Sequence, residues 1–132
     1  MKIKSRLERI LPYAAVFLLG GGLYCCLEVL WRGFTHWSMA PVGGICVLLI
    51  YCIEPLPYQI LWKMVLCGIG ITVVEGVSGF FLNMLFQLNV WDYSELFLNL
   101  FGQVCLLFTF IWVLLSYPGM KLCSFLRRHI FS

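Results

Sequence analysis

The sequence predicts an all-α, polytopic membrane protein of four transmembrane helices in an antiparallel bundle, with both termini cytoplasmic, and three observations carry that expectation. Of 132 residues, 62% are hydrophobic and 11% charged, with a mean hydropathy of +0.96, far from the balance of a soluble domain. The apolar residues gather in four stretches, 10–31, 38–53, 60–88 and 96–117, and a helix of about 20 residues spans the hydrocarbon core of about 30 Å. Basic residues fall almost wholly on one side of such a path: Lys2, Lys4, Arg6, Arg9, Lys63, Lys121, Arg127 and Arg128 share it, and Arg32 stands opposite. Basic residues in short loops mark the cytoplasmic face.

The first stretch follows a basic segment, as a cleaved signal would, but it runs through Gly20-Gly21-Gly22 to Trp31 with no A-x-A-like exit, so a retained helix is expected. Ile3 and Leu7 give the segment before it the pattern of a turn lying on the lipid surface. The second stretch is the shortest, slightly under a full span, and is expected to cross by borrowing Trp37 and Glu54 at its ends, with a re-entrant segment as the alternative. Pro12 and Pro41 fit first turns, Ser38 fits an N-cap, and Glu54-Pro55-Leu56-Pro57 and Tyr117-Pro118-Gly119 read as stops after the second and fourth helices. The connections are short, as between antiparallel neighbours, and leave a single membrane domain: a basic N-terminus 1–9, a helical region 10–117 and a basic cytoplasmic tail 118–132.

Cysteines are numerous, but Cys25, Cys26, Cys46, Cys52, Cys67 and Cys105 lie inside the expected spans, where a thiol acts as a small apolar group. No C-x-x-C occurs, so zinc, cluster and disulfide readings rank low and no cofactor is expected. No G-x-x-x-x-G-K-[ST], G-x-S-x-G or H-E-x-x-H is present, and His36 and His129 read as solvated surface histidines, so the chain is not expected to be an enzyme. The net charge of +3 is a topology signal and an attraction to anionic lipid rather than a nucleic-acid footprint.

Glu75 is the best pointer to a site. A carboxylate in hydrocarbon costs roughly 2.5 to 3.5 kcal/mol even on a lenient scale, so it is expected to face a bundle interior or a watery cavity. At about 100° per residue, Gly68, Thr72, Glu75, Gly79 and Asn83 occupy a sector of roughly 80° on the third helix. Gly21, Cys25, Glu28 and Arg32 align on the first helix, and Asn99, Gly102 and Gln103 share a side of the fourth. Such seams serve packing equally well, small residues allowing close approach and polar groups adding about 0.6 to 2 kcal/mol per bond. Packing is favoured for Gly68, Thr72, Gly79 and Gly102, and function for Glu75. Glu28 and Arg32, four apart, suit an ion pair. The polar groups crowd the outer half, which predicts a cavity floored near Glu75 and roofed by Val90, Trp91, Asp92, Tyr93 and Ser94, although Trp91 and Tyr93 suit an interfacial belt and Asp92 and Ser94 a helix cap equally well.

Glu28 followed by Arg32-Gly33, Ala40-Pro41, Glu75, Trp91-Asp92-Tyr93-Ser94, Asn99, Gly102-Gln103-Val104-Cys105-Leu106 and Trp112 together resemble the ABC-transporter type IV family of small membrane permeases, the CmpB-like group. The chain departs from the pattern at Ala40 to Gly44, where Gly-Pro and a tyrosine-glycine turn are expected, and at Gln103, where many members carry arginine. The second departure argues against an anionic ligand there. The resemblance implies a multi-span, permease-like protein.

The expectation is therefore a small permease or substrate-binding component in the cell membrane, contacting membrane lipids and a small-molecule solute and working as a homo-oligomer or with other membrane subunits. Its ligand site would comprise Glu75 and Asn83 in the lining, Glu28, Arg32 and Gly33 at the mouth, and Trp91, Asp92, Tyr93, Ser94, Asn99 and Gln103 at the outer rim. Two other classes stay open: a membrane-embedded enzyme using paired carboxylates on a lipid or prenyl group, and a non-catalytic assembly or regulatory protein.

Overall fold

A computed structural model describes residues 6–33, 36–85, 91 and 106–131. The described residues are helical, with no strand among them, in the order α1 (Arg6–Arg32), α2 (Met39–Ile53), α3 (Ile60–Gly79) and α4 (Leu106–Phe125). α3 runs on into a π-helical turn, Phe80–Leu85, and α4 into another, Leu126–Ile130. Arg6–Leu30, Ile60–Asn83 and Leu106–Ile130 are each long and apolar enough to cross a membrane. α2, at 15 residues, rises only about 22 Å.

The shortest helix is the central one. α2 packs against α1, α3 and α4, and α3 also packs against α4, whereas α1 and α4 make no close backbone approach to one another. The main core accordingly gathers Val16 of α1, Val42, Cys46, Ile50 and Tyr51 of α2, Cys67 and Ile71 of α3, and Met120 and Cys123 of α4. Outward faces carry Leu18, Leu30, Leu61, Val73 and Phe110, exposed apolar side chains that suit lipid rather than water.

The α1–α2 contact is built on missing side chains. A Cβ on Gly21 would stand 2.5 Å from the Ala40 carbonyl oxygen, and one on Gly44 2.6 Å from that of Phe17. Small residues let two helices in lipid come to backbone contact, where dispersion replaces the hydrophobic drive that lipid cannot supply. α1 then stops at Gly33, whose φ of 82° only glycine adopts without strain, and the Gly33 N–H donates to the Val29 carbonyl at 2.8 Å as in an αL cap.

Several boundaries differ from the sequence expectation. Tyr117-Pro118-Gly119 does not end the fourth helix: Pro118 lies inside α4, and burial of Met120 and Cys123 against the core carries the helix onward. Membrane helices tolerate proline because neighbours and local readjustment meet the freed backbone groups. Pro12 likewise lies inside α1, and Arg6 to Arg9 already belong to that helix. Pro41 does fall in the first turn of α2. Ser38 precedes that helix without capping it by its side chain; its Oγ lies 2.6 Å from His36 Nδ1, and its N–H donates to the same nitrogen at 3.2 Å. His36 is half-buried.

Candidate functional site

On α3 the buried positions are Cys67, Gly68, Ile71, Glu75 and Gly79, so the small and polar seam read from periodicity is the face turned into the protein. Its lower part is packing. Thr72 Oγ1 donates to the Gly68 carbonyl at 2.8 Å and meets Thr109 Oγ1 of α4 at 2.8 Å, while Gly68 admits Val113 of α4. Higher up, Glu75 is 4% exposed, so its carboxylate faces protein and not acyl chains, and it lies within electrostatic reach of Cys46 on α2. Asn83 stands in the π-helical turn and accepts a hydrogen bond from the Trp91 N–H at 3.3 Å.

Trp91 is buried on Met39, with Tyr24, Cys25 and Leu82 packed around them. This small cluster ties the start of α2, the end of α3 and the upper part of α1 together at one end of the molecule. At the opposite end, Tyr13 near the start of α1 stacks edge-on against Tyr51 of α2 at 5.6 Å, and Arg127 pairs with Glu54.

Because α1 and α4 each lean on α2 rather than on one another, a partly open cleft of about 310 Å³ lies between them. Tyr24, Leu27 and Glu28 line it from α1; Phe108, Ile111, Trp112 and Leu115 line it from α4. Tyr24 and Trp112 stack across it with centroids 6.0 Å apart and planes 29° from parallel. Gly43 sets the position of Tyr24, since any Cβ there would collide with the Tyr24 side chain. Glu28 is the cleft's charged residue; its Oε2 is shielded from solvent, as is Trp112 Nε1, which meets no hydrogen-bond acceptor among the described residues.

The expected site residues thus divide. Glu28 lines the cleft, Glu75 is buried on the α2 side of α3, and Asn83 and Trp91 touch one another beyond it. Gly33 closes α1, and Arg32 is its last residue, with a side chain outside the described residues. Asp92, Tyr93, Ser94, Asn99 and Gln103 also lie outside the described residues. Tyr24 was missed by the sequence reading, and Trp112 entered it only as a motif residue, because an aromatic in an apolar run looks like any lipid-facing residue until a gap opens beside it. The cysteines among the described residues, Cys25, Cys26, Cys46, Cys52, Cys67 and Cys123, are all free, and no group of His, Cys, Asp or Glu there has the makings of a metal site.

No curated protein and no solved structure gives a significant match to the chain. A family model does match, across residues 22–131, a stretch that holds α2, α3, α4 and both walls of the cleft. The chain belongs to that family, described as putative ABC-transporter type IV.

Proposed function

We propose that this membrane protein is a small permease-like component of a transport system, seated in the cell membrane with both termini cytoplasmic and taking a solute at a polar site in its outer half. One observation carries the reading: a carboxylate, Glu28, stands in the wall of an apolar cleft at the end of the molecule away from the basic residues around Arg127. Charge held at membrane depth is costly, and where it persists it marks a pathway for a substrate or ion. If the basic end is cytoplasmic, as basic loops generally are, the cleft belongs to the extracytoplasmic half. Glu75 and Asn83 do not line the cleft; in this reading they serve the same solute path, as do Arg32, Gly33, Trp91, Asp92, Tyr93, Ser94, Asn99 and Gln103.

Four helices enclose little volume, so the working unit is a homo-oligomer or a complex with other membrane subunits, and any ATP is hydrolysed on a separate chain. A non-catalytic assembly role is the second reading, and it draws on the use of Gly68 and Thr72 for contact with α4 rather than for lining a cavity. Uptake of a labelled solute panel into proteoliposomes separates the two. Transport by the wild type that falls away in Glu28→Gln and Glu75→Gln supports the permease; no solute moving with the wild type overturns it.

A further inference from the structure

We propose that the α1–α4 cleft binds the hydrocarbon tail of a bilayer phospholipid, which enters sideways from the membrane and leaves its headgroup at the interface. The inference deepens the transport reading by naming the solute class, an amphiphile, and rests on that reading only for movement after binding. Its chemistry follows from the wall. Leu27, Ile111 and Leu115 with the rings of Tyr24, Phe108 and Trp112 make up the lining apart from Glu28. Glu28 already has an interaction of its own and its Oε2 is shielded from solvent, so hydrocarbon entering the cleft strips no water from that oxygen. Neither lysine nor arginine is among the described residues of the lining, so the wall has no cation to hold a phosphate, and only the tail is recognised.

The cleft is continuous with the lipid-facing surface. At its rim Leu27 is 58% exposed and Leu115 45%, and beside them Leu23 and Leu30 of α1 and Leu107 and Leu114 of α4 are exposed as well. Both helices are long and apolar enough to cross a membrane, and they make no close backbone approach to one another, so the gap between them faces acyl chains. Its volume of about 310 Å³ is roughly twice that of an engineered apolar cavity that takes up benzene. Left empty, such a gap would forfeit the dispersion contacts of every apolar atom around it, and a flexible chain regains them along an irregular wall. Part of that wall is fixed in advance: Tyr24 and Trp112 are stacked with centroids 6.0 Å apart, and a Cβ on Gly43 would collide with the Tyr24 side chain. A preformed groove costs less to fill, which sets a chain held there apart from the passing contacts of boundary lipid.

The test uses the full chain in a steroidal detergent, whose rigid body supplies no flexible tail to compete, titrated with phosphatidylcholine carrying a nitroxide midway along one acyl chain. The nitroxide quenches a tryptophan that it touches. Subtracting the fluorescence of Trp112→Phe from that of the wild type isolates Trp112 in the cleft. Subtracting the wild type from Phe110→Trp isolates an indole on the outer side of α4, at a position 60% exposed. Trp112 should reach half-quenching at a labelled-lipid fraction at least about tenfold below that of the added indole, since a site saturates while boundary contact grows in proportion to the lipid added. Equal curves overturn the proposal and leave transport to be judged by uptake alone; early quenching of Trp112 without any uptake retains it and sinks transport. Trp112 out of reach at every fraction means that protein, a second copy included, fills the cleft, and overturns it too. Leu27→Phe combined with Leu115→Phe, which fills the wall, should return the Trp112 curve to that of the added indole, and an unshifted curve overturns the proposal; the first comparison stands without this variant should it not fold. Unlabelled competitors separate the sources. Equal displacement by phosphatidylcholine and phosphatidylglycerol supports recognition of the tail. Displacement by glycerophosphocholine, a headgroup without tails, or stronger displacement by geranylgeraniol, a free prenyl alcohol, overturns the phospholipid-tail assignment.

Discussion

Glu54 at the end of α2 and Arg127 beyond α4 form an ion pair at 2.5 Å across 73 positions of sequence. The guanidinium also donates from Nη2 to the Tyr51 carbonyl at 2.9 Å and lies 4.0 Å from the centre of the Tyr51 ring. Lys63 of α3 adds a bond from Nζ to the Glu54 carbonyl at 2.7 Å, so three helices meet at one carboxylate residue.

Arg127 should therefore behave as a clamp and not as a loose tail charge. The side chains are 33% and 19% exposed, between the regimes in which pairs contribute almost nothing and in which loss of a partner is severe, so a coupling energy of about 1 to 2 kcal/mol is expected. Thermal melts in detergent of Arg127→Ala, Glu54→Ala and the double variant close the cycle, and strictly additive losses would dissolve the clamp. Arg127→Lys should recover only part of the loss, because an ammonium cannot hold the carboxylate and the Tyr51 carbonyl in one planar fork.

The glycines of α1 and α2 predict opposite outcomes for the same substitution. Gly44→Ala places a methyl 2.6 Å from the Phe17 carbonyl oxygen and must push α1 off α2, at a cost of about 1 to 3 kcal/mol. Gly22→Ala meets nothing within 4 Å and should be neutral or stabilising by roughly 0.5 to 1 kcal/mol through helix propensity. Unfolding midpoints in a mild detergent decide it; equal losses at both sites would mean that the α1–α2 contact is not set by side-chain absence.

Periodicity made the α3 seam legible, because Gly68, Glu75 and Gly79 repeat near the helical period and all three are buried. The second helix was legible for a similar reason: the apolar run 38–53 has turn chemistry at both ends, and α2 occupies Met39–Ile53. The stop at Pro118 was misread because local punctuation carries less weight than the burial of Met120 and Cys123 beyond it. The pairing of Glu54 with Arg127 was beyond reach, since nothing local in a basic tail names a partner 73 residues away. The cleft was hidden for the same reason: Tyr24 and Trp112 become a site only once α1 and α4 are held apart by α2.

Trp112 gives a prediction that separates loss of the indole donor from loss of the ring. Its Nε1 is buried without an acceptor among the described residues, a state that costs about 1 to 3 kcal/mol relative to a satisfied or absent donor. Trp112→Phe removes the donor and keeps a ring against Tyr24, so its melting temperature should match or exceed that of the wild type. Trp112→Ala, which also empties the wall of the cleft, should fall well below it. A marked loss in Trp112→Phe would show that the indole N–H is satisfied in the membrane.

The sharpest test of topology comes from α2, too short on its own for the hydrocarbon core. Its first residues lie with Trp91 and Tyr24 at one end of the molecule, and Tyr51 near its last turn lies with Tyr13 and Arg127 at the other. A re-entrant segment would return to the face it left, whereas a spanning α2 would follow the helix from one end of the molecule to the other. In that arrangement exposed Trp37 before it and exposed Tyr58 after it would anchor in the interfaces and lengthen the span. If all four helices cross, as we propose, both termini belong on one face of the membrane and the connection between the first two helices on the other. Epitope tags at each terminus and in that connection, probed with protease in sealed vesicles of known orientation, should be cut accordingly. Termini found on opposite faces would mean that the bilayer does not follow the axis of α2, and the outer-half placement of Glu28 would fall with it.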